Sequence, residues 1–102
     1  MQVDADKLNA FMGKMLSDVG AAMTASLMLI GDKLGLYRAL AQGGPMNSQE
    51  LARSTSTAER YVREWFAAQA ASGYVNYDPV SAKFSMVAEQ AMVFADDNSP
   101  VF

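Results

Sequence analysis

The sequence predicts a mostly α fold with a small β-hairpin, a winged helix-turn-helix preceded by N-terminal helices. Three observations predict it. The first is the helix start Asn47-Ser48-Gln49-Glu50: Asn47 can accept from the free N–H groups of the first turn while Glu50 reaches back to the Asn47 N–H. The second is the polar run Ser54-Thr55-Ser56-Thr57, which stops that helix and is expected to cap another. This second helix, from Ala58 to about Ser72, is closed by Gly73, which tolerates the left-handed backbone that helix ends favour. The third is the pair of alternating stretches Tyr74-Val75-Asn76-Tyr77 and Lys83-Phe84-Ser85-Met86, which read as half-buried strands joined through the turn signal Asp78-Pro79.

The elements before this motif follow in order. From Asp4 to Val19 the apolar residues Leu8, Phe11, Met12, Met15, Leu16 and Val19 recur every three or four positions, which gathers them on one stripe of a helix. That stripe either lies on the chain's own core or packs on a second copy. The terminal position of the helix and the overall apolar content favour the second copy, so these six residues are the expected dimer interface. Gly20 reads as a kink or break. From Ala21 to Leu34 the chain is apolar on nearly all sides, which predicts a buried helix. Gly35 to Leu40 continues as a short helix, stopped by Gly43-Gly44-Pro45. After the hairpin, Val87 to Ala95 reads as a further short helix.

Composition limits the function. A chain of 102 residues builds one modest core. Hydrophobic residues make up 51% of it and eight are Met, more than so short a chain readily buries, so part of this surface is expected to meet a partner. The net charge of −3 argues against nucleic acid, whose phosphates are bound by clustered Lys and Arg. There is no Cys and no His, which removes thiolate chemistry, histidine-activated nucleophiles and the commonest metal ligand. The N-terminal residues lack a signal-peptide pattern, and the longest apolar-rich run, Ala21 to Ile30, is far short of the roughly 20 residues a membrane span needs. A cytoplasmic protein with no membrane contact is the expectation.

The second helix of the motif would read DNA in a DNA-binding winged helix and would need polar or basic side chains outward. With Val62 at the centre of the buried face, Ala58, Trp65, Phe66 and Gln69 lie beside it. The outward face is then Arg60, Glu64, Ala67, Ala68 and Ala71, with Arg60 and Glu64 spaced to pair. Such a small, nearly neutral surface suits close packing by protein rather than base reading. The hairpin tip carries Asp78 and only Lys83 as a nearby cation. Trp65 and Phe66 read as core, while Tyr61 and Tyr74 are candidates for the edge of a ligand cleft. Asp96 and Asp97 read as a solvated pair.

Leu34-Gly35-Leu36-Tyr37-Arg38-Ala39-Leu40, Ser48-Gln49-Glu50-Leu51-Ala52, Tyr61-Val62-Arg63-Glu64-Trp65 and Ser72-Gly73-Tyr74-Val75 together resemble the N-terminal winged-helix dimerisation domain of bacterial class I S-adenosylmethionine-dependent methyltransferases. The resemblance implies a homodimer and a C-terminal Rossmann-like catalytic domain in the same protein. In the family the methyl donor sits on a Gly-rich turn between a strand and a helix, and no glycine of this chain has that placement. The expected division is therefore 1–35, N-terminal dimerisation helices; 36–95, the winged-helix domain; and 96–102, a linker toward a catalytic domain that carries the S-adenosylmethionine. On this reading the chain alone has no catalytic, cofactor-binding or metal-binding residue, and the parent protein is the transferase. The alternative is a winged-helix DNA-binding transcriptional regulator, in which Arg53, Arg60, Arg63 and Lys83 would gather on one side. A weaker third reading is a small-ligand sensor with a Met-lined cavity between protomers.

Overall fold

The structure is a computed structural model that describes residues 2–101; Met1 and Phe102, the two ends of the expected dimerisation and linker segments, lie outside the described residues. The element order is α1 (Ala5–Lys33), α2 (Leu36–Gly43), α3 (Ser48–Thr55), α4 (Glu59–Ala71), β1 (Asn76–Asp78), β2 (Lys83–Ser85) and α5 (Ala88–Phe94). The strands pair antiparallel with Tyr77 opposite Phe84. This is the winged helix-turn-helix that the sequence predicts, with α3 and α4 as the motif and the hairpin as the wing.

Local chemistry accounts for the element ends. Asn47 Oδ1 accepts from the Glu50 N–H at 2.8 Å, and Glu50 Oε1 accepts from the Asn47 N–H at 3.0 Å, a complete capping box. The cap of α4 differs from expectation. Ala58 occupies the N-cap position and has no side chain that can accept a hydrogen bond, while the Thr57 hydroxyl, one residue earlier, pairs with that of Thr55 at 2.8 Å. At the wing tip, Asp78 Oδ1 accepts from the Val80 N–H at 2.9 Å, and the Ser81 hydroxyl donates to Asp78 Oδ2. Met46 adds a short third rung to the sheet by exchanging two backbone hydrogen bonds with Phe84. Gln90 ties α5 to the hairpin: its Oε1 accepts from the Val87 N–H, and its Nε2 donates to Gly73 O and Asn76 Oδ1.

The core gathers Leu36, Tyr37 and Leu40 of α2, Leu51 and Ala52 of α3, and Val62, Trp65 and Phe66 of α4, with Val75 closing it from the hairpin side. Aromatic rings set its centre: Tyr37 meets Trp65 edge-on at 4.9 Å and stacks on Phe94 at 4.4 Å, and Phe66 stacks on Phe84 at 4.1 Å. Gln69 is fully buried, and its Oε1 accepts from the Tyr37 hydroxyl. The predicted inner face of α4 is present at Val62, Trp65, Phe66 and Gln69. Ala58 is exposed, since it precedes the helix. The ion pair on α4 is Arg63 with Glu59 at 3.9 Å, and no salt bridge joins Arg60 to Glu64.

Two expectations about α1 are corrected. The helix does not break at Gly20 but runs unbroken through Gly13 and Gly20. A glycine in a helix interior costs only about 1 kcal/mol relative to alanine, and the flanking residues, Ala21 and Ala22 among them, continue the helix. Nor is 21–34 buried. Gly31 alone is buried, while Met23, Leu29, Ile30 and Leu34 are exposed, because the body of this chain touches only one side of the helix. Gly31 makes that contact possible: a Cβ there would stand 2.6 Å from both the Trp65 and Tyr37 rings. The Trp65 indole N–H also donates to Leu27 O at 3.0 Å. No single helix among the described residues is long and apolar enough to cross a membrane.

Candidate dimerisation surface

The described residues of α1 before Thr24 are all exposed. Asp4 caps the helix by accepting from the Asp6 and Lys7 N–H groups, and Lys14 pairs with Asp18 at 2.7 Å. Among the described residues no other element covers this half. The six residues expected at the interface, Leu8, Phe11, Met12, Met15, Leu16 and Val19, are 43 to 68% exposed. The structure therefore brings them together as one stripe on a projecting helix. It also extends the stripe through Met23, Ile30 and Leu34, which the sequence reading placed in a buried segment. Their three- and four-residue spacing, continued across Gly20, was the signal for that extension.

The shape follows from this projection. The molecule measures 57 × 31 × 23 Å with a radius of gyration of 16.6 Å, whereas a compact chain of this length has about 13 Å. It exposes 7036 Å², whereas a compact monomer of 11.0 kDa exposes about 5600 Å². The excess, about 1400 Å², exceeds the roughly 800 Å² that each partner buries in a standard protein interface.

At its inner end the stripe runs into a cleft of about 610 Å³ between α1 and α4, walled by Leu27, Ile30, Leu34, Leu36, Tyr61 and Trp65, with Glu64 at its edge. Tyr61, an expected cleft-edge residue, is there and mostly exposed. Tyr74 is not; its ring packs on Phe94 at 5.3 Å. On the outward face of α4, Arg60, Glu64, Ala67 and Ala71 are exposed in the single chain and Ala68 is half-buried. One acid and one base among alanines offer little to a phosphate backbone.

The titratable groups that deviate from ordinary behaviour serve the fold. Burial, then the nearby Tyr74 and Asp32, push the Tyr37 hydroxyl well above the usual tyrosine range. The Asn47 N–H, with Lys83 and Arg53 nearby, holds Glu50 below the usual carboxylate value. The Val80 N–H and the Ser81 hydroxyl do the same for Asp78. Among the described residues no group of three or more acids could hold a metal ion. The sheet is a lone antiparallel hairpin, and Gly35, Gly44 and Gly73, the glycines with positive φ, sit at helix ends.

Comparison with known proteins agrees with this architecture. The chain has the fold of part of the mitomycin 7-O-methyltransferase MmcR, with a TM-score of 0.82 and 23% identity over 95% of this chain and 28% of that one. A putative O-methyltransferase from Nostoc punctiforme is similar with a TM-score of 0.73 and 22% identity, covering 86% of this chain and 26% of that one. CalO1, a methyltransferase of calicheamicin biosynthesis, matches with a TM-score of 0.61 and 22% identity, covering 98% and 27%. The chain thus spans between a quarter and a third of the length of each. The comparison with curated proteins returned no match. A family model matches residues 21–95, and the chain belongs to that family, the Rv2258c-like winged helix-turn-helix domains.

Proposed function

We propose that this chain is the dimerisation and substrate-lid domain of a cytoplasmic S-adenosylmethionine-dependent methyltransferase, working as a homodimer. Residues 1–35 supply the dimer contacts through Leu8, Phe11, Met12, Met15, Leu16 and Val19. Residues 36–95 form the winged-helix body, and 96–102 lead toward a C-terminal Rossmann-like domain. That domain would carry the methyl donor and the transferase chemistry. The single observation that carries the dimer is the unsupported stripe of α1 together with the excess of exposed surface. The resemblance of the fold to parts of MmcR and CalO1 supports the link to methyl transfer.

Nucleic acid has no part in this reading, because α4 presents alanines and a balanced pair of charges where a DNA reader needs cations. Light scattering at tens of micromolar tests the proposal, with twice 11.0 kDa expected. A strict monomer counts against it. Duplex DNA binding that weakens steeply with salt would favour a transcriptional regulator instead.

A further inference from the structure

The apolar stripe of α1 mirrors itself about its own midpoint. Counted outward from residue 21, Val19 has Met23 as its counterpart, Met15 has Leu27, Met12 has Ile30 and Leu8 has Leu34. Leu16 falls opposite Ser26, whose hydroxyl is already bonded back to Ala22 O. Phe11 falls opposite Gly31, the one position of the series that is buried against the Trp65 and Tyr37 rings of its own chain. Two identical helices related by a twofold axis and running antiparallel need this self-complementarity, since each residue then meets its own mirror position.

We infer that a second copy lays its α1 antiparallel along this one, with the twofold axis at the level of residue 21, so that Leu8, Phe11 and Met12 of the partner subunit fill the cleft between α1 and α4. The inference rests on the dimer reading above and says where the partner sits. The chain cannot fill its own cleft, because Leu8 lies about 39 Å from Leu34 along one continuous helix. A parallel pairing would bring two bodies to the same end of helices that pack only about 8–10 Å apart, and would leave both clefts open. Registers shifted by one turn leave Leu8 or Leu34 overhanging, whereas the axis at residue 21 covers the stripe from end to end. The excess surface fits as well: about 1400 Å² per copy, doubled, falls among obligate homodimer interfaces.

The chain contains no cysteine, so thiols can be placed at will on exposed positions. The chain carrying M12C with I30C, and the chain carrying L8C with L34C, are treated with a short thiol-to-thiol cross-linker. Light scattering reports their mass and circular dichroism their helicity. Each pair is expected to move from 11.0 kDa to twice that mass on a denaturing gel, with no such shift for any of the four single variants. Three results overturn the arrangement while leaving a dimer: L8C cross-linking alone, L8C with I30C reacting faster than M12C with I30C, or a scattering dimer in which neither pair reacts and another occupant has the cleft. A monomer by scattering overturns both the arrangement and the dimer.

Discussion

The body and the outer half of α1 belong to one chain but are held by different means. In the body, α2, α3, α4 and the hairpin close around Tyr37, Trp65 and Phe66, and even the buried Gln69 accepts a hydrogen bond. The outer half of α1 has a cap, one exposed ion pair and a row of bare apolar side chains. Helical stability in proteins comes mostly from packing an apolar face rather than from propensity, and here that packing is missing within the chain. The difference teaches that the body is held by its own contacts, while the projecting helix has few within the chain, which is the ground for proposing a second copy there.

Substitutions of one kind in the two regions should separate them. Phe66→Ala removes a ring stacked on Phe84 in the core and should cost about 3–5 kcal/mol, read as a large drop in the chemical-denaturation midpoint. Gly31→Ala should cost about 1–3 kcal/mol by forcing a methyl group against Trp65 and Tyr37. An unchanged midpoint there would mean that α1 is less tightly docked than described. Asn47→Ala removes the α3 cap and should cost about 1 kcal/mol. Phe11→Ala should change the stability of the dilute chain by no more than about 0.5 kcal/mol yet weaken the dimer in light scattering. A loss comparable with that of Phe66→Ala at concentrations where the chain scatters as a monomer would break the comparison.

pH should act on the body from both sides. Glu50 and Asp78 are held below their ordinary values, so their contribution is present at neutral pH and lost as pH falls through the acid range. The thermal midpoint should decline there, less steeply for Glu50→Gln. Tyr37 is raised, so its contribution is complete below its ordinary value of 10.0 and fades above it, where the unfolded chain ionises first. Tyr37→Phe should remove that alkaline decline.

Features set by near neighbours were legible in the sequence. The Asn47–Glu50 box and the inner face of α4 depend on residues within one or two turns, and both appear where spacing put them. The hairpin was legible too, though its strands are shorter than the alternating runs. Gly20 was misread as a break because one glycine is outweighed by a long helical context. Residues 21–34 were misread as buried because hydrophobicity says that a surface needs cover, not which chain supplies it. The cleft at Tyr61 exists only through the crossing of α1 over α4, which no local spacing records.

Hydrogen exchange measured residue by residue at two protein concentrations addresses the central claim most directly. Amides of the outer half of α1, Leu8 to Met23, should be protected where the chain is dimeric and exchange rapidly on dilution, while those of α2 to α4 stay protected throughout. Protection of the outer half that does not change with concentration would contradict the claim that a second copy supports it.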